Sequence, residues 1–543
     1  MEIKNFKPKF EYTDRGNVKR YAHILENKAK VVTETNDWLF HDGVIWAIDK
    51  SGRQYRAIDA LLEHIVLEVD EYFKDDQITL HNKIPAERRA QIPALTYDEM
   101  SPEERYLQYI FQCRATAEKW RFNSSSHAKM RPIYEYSAKE KELAISIEEL
   151  DSKGYFLCVL NGILDLRTMK LVSNDPKYLV TKQCNATYKP EATCPEFEKF
   201  LDYFIPDKEE QAFMQRVFGQ ALIGEPVKDK CLFLFGNGAN GKDTLTGILE
   251  YMIGTYGHVA EPKVITTEKI NKDYHLAQFV GRRVVIMNEL EQNAVLDDVV
   301  LRQLVGSGKI TARNLYSSVI RFQCLCTPIV NTNNKPTVLG TEHGIWRRIL
   351  MMEFKIKIPD EQKRPDYLQQ KLYPEADGIL NWALEGARKL IHETNFDLRP
   401  PQSIIDTTNS YRDDEDAVGQ FIREVLEESP EQKIALKTIV AIYNNYKKQL
   451  GGKGMSDRRL KAELQQRGIE VGRGKGNINY VFGYTYTDSP VQNVTQDYGV
   501  GLDEMDKKRT KHLLDKINVN KQEAEQFDAE LKRLKNKSPV TFN

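Results

Sequence analysis

Apolar and polar residues alternate in several rhythms along the chain, and each rhythm predicts a different kind of element. Residues 30–60 alternate around the turn at His41–Gly43, which predicts a β-hairpin. Residues 78–150 show a helical, charged pattern, and residues 155–182 return to short strands separated by turn sequences. We therefore predict an α+β domain over residues 1–190.

In the middle of the chain, apolar strands alternate with helical or polar stretches. Strand-like runs occur at Cys231–Phe235 and Val284–Met287, and the pattern continues to about Phe354 before further helices follow. Such alternation is typical of an α/β domain. We predict a nucleotide-binding α/β core over residues 191–400.

Beyond this core the chain becomes polar and then basic. Pro400–Pro401 and the polar run to Glu415 predict a linker. Helical runs and a basic, glycine-punctuated hairpin pattern predict a separate domain over residues 416–488. Residues 489–543 predict a polar tail with one helical stretch near residues 507–535.

Composition limits the classes of protein that this chain can belong to. The 543 residues carry 78 Lys and Arg against 79 Asp and Glu, so any surface for nucleic acid must be local. The seven cysteines include no CxxC pair, which argues against structural zinc, and Cys231, Cys324 and Cys326 are expected to be buried strand thiols. No run reaches the roughly 18 apolar residues of a membrane span, so we expect a soluble, cytoplasmic protein that does not bind a membrane.

A glycine-rich turn stands between a predicted strand and a predicted helix, which is the context that a Walker A phosphate loop requires. Glycines let backbone N–H groups turn toward phosphates, and the lysine adds positive charge at the β and γ positions. The residues expected to bind a nucleotide are Gly236, Asn237, Gly238, Ala239, Asn240, Gly241, Lys242, Asp243 and Thr244.

The position after the lysine departs from the usual motif. Ser or Thr normally stands there and binds Mg²⁺, whereas this chain has Asp243 and then Thr244. We expect Thr244 to bind the metal with Asp243 assisting.

Polar residues follow the next two predicted strands. Glu289 comes after the strand at Val284–Met287, where a carboxylate binds Mg²⁺ or orients the attacking water. Asn333 follows a later strand, where an amide can contact the γ-phosphate, although an Asn-rich turn before Pro336 would explain it equally well. Their order after Lys242 favours the catalytic interpretation.

Two arginines precede a further apolar strand. Arg347 or Arg348 is a candidate arginine finger that reaches the γ-phosphate of a neighbouring subunit. Adjacent residues in a strand face opposite ways, so only one of them can have this role. Their spacing does not decide which.

A basic stretch with no acidic residue predicts a DNA-contacting hairpin. Residues 301–322 carry four positive and no negative side chains, and their alternation favours a hairpin. Lys309 or Arg313 would contact phosphate, and Tyr316 near the tip would stack on a base or sugar. The competing interpretation is an exposed basic hairpin with a structural tyrosine.

The region after residue 433 is basic in a chain that is otherwise acidic. Residues 433–487 hold eleven Lys and Arg against three acids. A helical run, a helix capped at Ser456 and a basic hairpin predict a winged helix-turn-helix, although a merely solvated basic domain is the alternative. The candidate DNA contacts are Arg458, Arg459 and Lys461 on the helix and Arg473 and Lys475 on the wing.

These segments, in this order, resemble the superfamily 3 helicases, and most closely the phage and plasmid primase-helicase family with its poxvirus-type members. The similarity covers about residues 150–490 and rests on GNGANGKDT, VVIMNE, LVGSGKITARNLY, VNTNNKP and GIWRR. It implies an AAA+ core forming a hexameric ring that hydrolyses ATP with Mg²⁺ and translocates 3′→5′ on single-stranded DNA. Asn288 stands where many relatives have an acid or Ser, and GSGK replaces GGDP.

The resemblance leads to one main hypothesis and two alternatives. The main one is an ATP-dependent DNA helicase that replicates a phage, plasmid or mobile element in a bacterial host cell, with duplex origin DNA as a second ligand and a separate primase as a partner. The first alternative is an initiator that uses ATP only to assemble on origin DNA. A small-molecule P-loop kinase is the other, and the basic C-terminal region counts against it.

Overall fold

The computed structural model describes residues 4–225, 230–306, 308–313, 319–338, 343–449, 454–474 and 478–486. They divide into two compact units, one ending at Thr408 and the other beginning at Asn409. The predicted tail at residues 489–543, with its helical stretch, lies outside the described residues.

The first unit begins with helices packed beside a small sheet. Strands β2 and β3 form the hairpin predicted around His41–Gly43, with His41 opposite Trp46, and the sheet order is β3–β2–β1–β4. The elements are α1 (Asp14–Ile24), β1 (Ala29–Val32), β2 (Trp38–His41), β3 (Trp46–Ile48), α2 (Arg53–Tyr72), α3 (Lys74–Lys83), α4 (Ala86–Gln91), α5 (Pro102–Ser124), α6 (His127–Ser137) and β4 (Ala144–Ile145).

A short antiparallel sheet and two helices lead to the central sheet. The sheet confirms the strands predicted within residues 155–182, and two helices follow it. The elements are β5 (Phe156–Val159), β6 (Gly162–Asp165), β7 (Lys170–Val172), α7 (Pro195–Phe204) and α8 (Lys208–Leu222).

The centre of this unit is a parallel sheet in the order β14–β8–β13–β10–β9. Its strands are apolar because helices cover them, and one continuous core runs from Leu157 to Ile404. The elements are β8 (Cys231–Phe235), α9 (Lys242–Ile253), β9 (Gly257–Ala260), α10 (Lys272–Ala277), β10 (Val284–Asn288), α11 (Asp298–Val305), β11 (Lys309–Arg313), β12 (Val319–Gln323), β13 (Thr327–Thr332), α12 (His343–Trp346), β14 (Ile349–Glu353) and α13 (Ala376–His392).

Two predictions about this region were partly wrong. The segment 301–322 is not all hairpin, because Arg302 lies in helix α11 and pairs with Asp298 one turn earlier. Cys231 is a buried strand thiol as predicted, but Cys324 and Cys326 lie between β12 and β13 rather than within a strand, although both are buried.

The predicted linker after Pro401 is a helix, α14 (Gln402–Glu415). Ile404 is apolar and lies in the core. Its contacts hold the segment against the first unit although the residues around it are polar. Proline immediately before a helix is compatible with it, because the first helical N–H groups have no partner within the helix.

The second unit packs helices against a small antiparallel sheet in the order β15–β17–β16. Its predicted helices and hairpin are present, and β15 is an additional strand with an irregularity between Glu428 and Lys433, around Pro430. The elements are α15 (Ala417–Val425), β15 (Leu426–Ala435), α16 (Leu436–Gln449), α17 (Asp457–Gln466), β16 (Val471–Arg473) and β17 (Asn479–Tyr486).

None of the helices in the described part of the chain combines the length and the apolar character needed to cross a lipid bilayer.

Candidate functional site

Three predicted site segments meet at the carboxyl edge of the parallel sheet. Strand β13 lies between β8 and β10, and all three run in the same direction. The glycine loop, residues 236–241, follows β8, while Glu289 follows β10 and Asn333 follows β13. Parallel sheets bind ligands at this edge, at the point where successive connections leave in opposite directions along the sheet.

The glycine loop has a backbone that depends on small residues. Gly238 and Gly241 have φ of 80° and 85°, and Ala239 has φ of 50°. A Cβ on Gly241 would lie 2.8 Å from the Phe204 ring, so a side chain there would displace α7. Helix α9 begins at Lys242, so its unpaired N–H groups open toward the loop.

Contacts from the segment after β14 hold the loop in place. The buried Asn240 donates from Nδ2 to the Phe354 carbonyl at 3.1 Å, and the Ile358 N–H donates to the Ala239 carbonyl at 2.9 Å. Asn237, by contrast, is exposed. The segment after β14 therefore anchors the second half of the loop at Ala239 and Asn240.

Lys242 is buried and surrounded by oxygen acceptors. Its Nζ donates to the Gly236 carbonyl at 2.9 Å, to Asn240 Oδ1 at 3.0 Å and to Asn333 Oδ1 at 3.0 Å. Burial lowers the pKa of Lys242, and the charges of Asp243 and Glu289 oppose that shift. A lysine held by oxygens in this way is preorganised for an anionic oxygen ligand.

Asn333 joins Lys242 to Glu289. Its Oδ1 accepts from the lysine, and its Nδ2 donates to Glu289 Oε1 at 3.3 Å. Glu289 has φ of 62°, and its N–H donates to the Asn331 carbonyl at 2.8 Å. Three residues that the sequence placed on separate segments thus form one hydrogen-bonded chain, which we call the Lys–Asn–Glu chain.

A residue that sequence reasoning missed contacts the unusual Asp243. Asn331, on β13 and 1% exposed, donates from Nδ2 to Asp243 Oδ1 at 2.6 Å. The only signal in the sequence is an asparagine within an otherwise apolar strand, in the run VNTNN. Thr244 is half-buried on the next position of α9.

The side chains at this edge fit a small divalent cation bound together with phosphate. Asp243, Thr244 and Glu289 offer the oxygen ligands that Mg²⁺ prefers. Among the described residues no group of three or more His, Cys, Asp or Glu is arranged to hold a metal unaided. A cation here would therefore take its remaining ligands from water and from the phosphates themselves.

The two candidate arginines differ in their environment. Arg348 is 7% exposed, donates from Nη1 to the Gly344 carbonyl and accepts from the Cys231 N–H at its own carbonyl. Arg347 is exposed, and its carbonyl accepts from Lys230 Nζ at 2.6 Å. The two arginines lie in the turn between α12 and β14 instead of in a strand, and the difference in their burial comes from this turn.

Both arginines lie at the opposite edge of the sheet from the glycine loop. They precede β14, which runs parallel to β8 with Ile349 opposite Cys231 and Glu353 opposite Phe235. Five strand residues span roughly 16 Å. Neither arginine is therefore placed to contact phosphates held by its own glycine loop.

The predicted basic hairpin is formed by β11 and β12, with Lys309 opposite Gln323 and Arg313 opposite Val319. Alternate residues are buried, so Lys309, Arg313 and Arg321 share the exposed face. Lys309 pairs with Glu148 at 2.5 Å at the base of the hairpin. Tyr316 lies outside the described residues.

Two cations of the second unit, Lys461 and Arg473, lie beside Asn479. Lys461 donates from Nζ to Asn479 Oδ1 at 3.3 Å, and Arg473 lies opposite Asn479 in the β16–β17 pairing. Arg458 and Arg459 are exposed at the start of α17. Lys475 lies outside the described residues. Helix α17 and the hairpin therefore carry their cations close together.

Not every cation of this unit is available to a ligand. Arg467 pairs with Asp416 and Glu463 at 2.7 Å each, which assigns it a structural role. Lys433 lies 4.8 Å from the centre of the Tyr480 ring. The surface charge that a ligand meets is consequently smaller than the composition of the segment suggests.

Two family models match this chain. The family described as "D5 N terminal like" matches residues 18–206, and a "Family of unknown function (DUF5906)" matches residues 234–348. The second range contains the glycine loop, the Lys–Asn–Glu chain and both arginines.

Curated relatives come from large DNA viruses. The chain is 25% identical over 218 residues to "Putative helicase L207/L206" of Acanthamoeba polyphaga mimivirus, covering 39% of this chain and 23% of the relative. It is 26% identical over 329 residues to "Putative primase C962R" of African swine fever virus, covering 55% and 34%. It is 25% identical over 252 residues to "Primase D5" of fowlpox virus, covering 43% and 31%. The chain thus spans no more than about a third of the length of these relatives.

Among solved structures, the apo structure of the NrS-1 C-terminal region (305–718) aligns with 86% of this chain and 99% of its own. The sequence identity is 10% and the TM-score is 0.43.

Proposed function

Because this chain belongs to the family of D5-like primase-helicases, we propose that it is an ATP-dependent DNA helicase that acts in DNA replication. The observation that carries the proposal is the Lys–Asn–Glu chain beside the glycine loop at the carboxyl edge of a parallel sheet. It brings a phosphate-binding cation, a polar sensor and a carboxylate to one place, which is what phosphoryl transfer to water requires.

Each residue of this edge has a distinct role in the proposal. The backbone of the glycine loop and Lys242 bind the phosphates, and Glu289 orients the attacking water. Asn333 contacts the γ-phosphate and loses its bond to Lys242 as the phosphate takes that place. Mg²⁺, when bound by Thr244, Asp243 and Glu289, neutralises phosphate charge.

The geometry favours Arg347 as the arginine finger. Both arginines are roughly 16 Å, the length of strand β8, from phosphates held by the chain's own glycine loop. An arginine finger here can therefore act only on a neighbouring subunit. Arg348 is buried and bonded to the Gly344 carbonyl, whereas Arg347 is exposed. We therefore propose ATP sites between the subunits of a ring, with a hexamer as the expected assembly.

Single-stranded DNA is the proposed ligand of the hairpin β11–β12. The strand alternation places Lys309, Arg313 and Arg321 on one exposed face. Such a row of cations follows a phosphate backbone without reading its sequence. Translocation in the 3′→5′ direction and a separate primase as partner are further parts of this proposal.

Duplex DNA, such as an origin, is the proposed ligand of the second unit. A helix beside an antiparallel hairpin, with cations on both, supports the proposal of a winged helix-turn-helix here. This observation also favours the second candidate function, an initiator that binds ATP to assemble on origin DNA without unwinding it. A small-molecule kinase would not use this surface.

The test is ATP hydrolysis with and without single-stranded DNA, run alongside size measurement in the presence of a nonhydrolysable ATP analogue. The proposal predicts an assembled ring whose hydrolysis DNA stimulates. An initiator would assemble and bind DNA but hydrolyse ATP too slowly to support unwinding. A monomer that ignores DNA would exclude both functions.

A further inference from the structure

Asn331 is a buried amide whose contact coincides with the departure from the usual phosphate-loop motif. The position after the phosphate lysine normally carries a neutral hydroxyl, and here it carries Asp243. Asn331 donates to Asp243 Oδ1 at 2.6 Å from the neighbouring strand β13. The unusual carboxylate therefore has its own partner.

The orientation of this amide follows from charge. A carboxylate only accepts hydrogen bonds, so Nδ2 rather than Oδ1 of Asn331 must face Asp243. Asn331 Oδ1 then remains buried with no hydrogen-bond partner among the described residues. Leaving a buried acceptor unpaired is unfavourable, so the contact that Nδ2 makes with Asp243 must offset this cost.

The main chain of Asn331 also contacts the main chain of Glu289, the second acidic residue at this edge. The Asn331 carbonyl accepts from the Glu289 N–H at 2.8 Å. Asp243 is thus positioned by the side chain of Asn331 and Glu289 by its main chain. Both carboxylates keep an exposed position at the edge where phosphates are proposed to bind.

We propose that Asn331 is a positioning residue that fixes Asp243 as a carboxylate ligand of the nucleotide-bound divalent cation, so that nucleotide binding becomes strictly dependent on that cation. This inference rests on the proposed ATP function. Without the cation, a fixed negative charge beside the phosphates repels them, whereas a serine or threonine hydroxyl at this position would not.

The experiment measures equilibrium binding of a fluorescent ATP analogue to the full chain, across a Mg²⁺ titration and in excess EDTA. Wild type is expected to lose far more affinity in EDTA than Asp243→Ser, in which the repulsion is absent. Asn331→Val is expected to raise the Mg²⁺ concentration needed for half-maximal nucleotide binding by about tenfold or more, because Asp243 then loses the hydrogen bond that positions it. In the Asp243→Ser background, Asn331→Val is expected to have no further effect on this requirement.

Thr327→Val is the matched control. Thr327 is a buried residue of the same strand, its hydroxyl lacks a hydrogen-bond partner within the described residues, and it lies at the opposite end from Asn331. The control is expected to keep the wild-type Mg²⁺ requirement. Thermal melting of each variant verifies that it folds.

The outcomes separate this inference from the proposed function. Absence of nucleotide binding by wild type at every Mg²⁺ concentration would overturn both. Equal losses in EDTA for wild type and Asp243→Ser would overturn the inference and leave the function standing. An Asn331→Val variant that melts earlier but keeps the wild-type Mg²⁺ requirement would show a merely structural asparagine and would also overturn it.

Discussion

Asn333 uses both ends of one amide to connect Lys242, the proposed phosphate ligand, with a carboxylate. Its Oδ1 accepts from Lys242 and its Nδ2 donates to Glu289. Because both bonds depend on one side chain, a phosphate that displaces the lysine bond also alters the environment of the glutamate. The amide is thus suited to report whether the γ-phosphate is present.

The two arginines before β14 can be distinguished by mutation. Arg347→Ala is expected to lower hydrolysis by roughly 10³-fold while the chain still binds ATP, because a transition-state contact from the neighbouring subunit is lost. Steady-state hydrolysis and nucleotide binding measure the two effects. Mixing Arg347→Ala with Lys242→Ala subunits should restore part of the activity, because some interfaces then combine an intact loop with an intact arginine.

Arg348→Ala is the comparison for that experiment. Arg348 is buried and donates to the Gly344 carbonyl within α12, so its loss is expected to lower the melting temperature. Mixing Arg348→Ala subunits with Lys242→Ala subunits should not restore ATP hydrolysis. Recovery with Arg348→Ala instead of Arg347→Ala would contradict the assignment.

The charge of the hairpin β11–β12 gives a prediction about DNA binding. Arg313→Ala removes one cation from the exposed face and is expected to weaken single-stranded DNA binding. The slope of log affinity against log salt should fall by about 0.7, the value for one phosphate contact on a single strand. Binding titrations at several salt concentrations measure this.

The control for the hairpin is Gln323→Ala, a neutral change on the same exposed face. It is expected to leave the salt slope unchanged. An unchanged slope in Arg313→Ala as well would mean that the hairpin does not contact the DNA backbone.

Helix α5 gives a prediction about stability and pH. Ser101 and Glu104 form a capping box at its start, and Arg88 donates to Glu104 Oε1 at 2.7 Å. The Arg88 hydrogen bond, followed by the Ser101 N–H, lowers the pKa of Glu104 from 4.5 to about 2. Since the folded-state pKa is depressed, this stabilisation is complete above pH 4.5 and disappears as the pH falls through about 2.

Glu104→Gln should therefore melt at a lower temperature than wild type near neutral pH, with the difference shrinking in acid. Melting curves across this pH range measure it. A difference that stays constant down to pH 2 would show that the glutamate acts through packing instead of charge.

Elements with strong local patterns were predictable from the sequence. The strands at Cys231–Phe235 and Val284–Asn288 are mostly apolar runs, and the strands of the hairpin β11–β12 alternate buried and exposed residues. Strand β15 was missed because its polar residues and Pro430 do not form a recognisable strand pattern. Its pairing with β17 is visible only in the structure. Helix α14 was read as a linker because the contact of Ile404 with the core is not visible in the local pattern.

Site residues were predictable where a motif fixes them. Lys242, Glu289 and Asn333 follow strands in a recognisable order, and the structure brings them together. Asn331 was not predictable, because no motif assigns it a role and its contact with Asp243 depends on how β13 packs beside the start of α9. The difference between Arg347 and Arg348 likewise depends on burial, which adjacent residues in a sequence do not reveal.

The whole chain carries two basic surfaces and one edge where a nucleotide is proposed to bind. The first unit carries the proposed ATP site and the hairpin, and the second unit carries the cations around Asn479. The chain spans about a third or less of the viral relatives described above. In the proposal, these parts contribute the ATP site and the DNA-binding surfaces of a motor.

The most direct test is displacement of one strand from a forked DNA duplex by the wild-type chain. The account predicts displacement with ATP and Mg²⁺, none with a nonhydrolysable analogue, and none with Lys242→Ala under any condition. Displacement by Lys242→Ala equal to that of wild type, or ATP hydrolysis by wild type without any displacement, would contradict it.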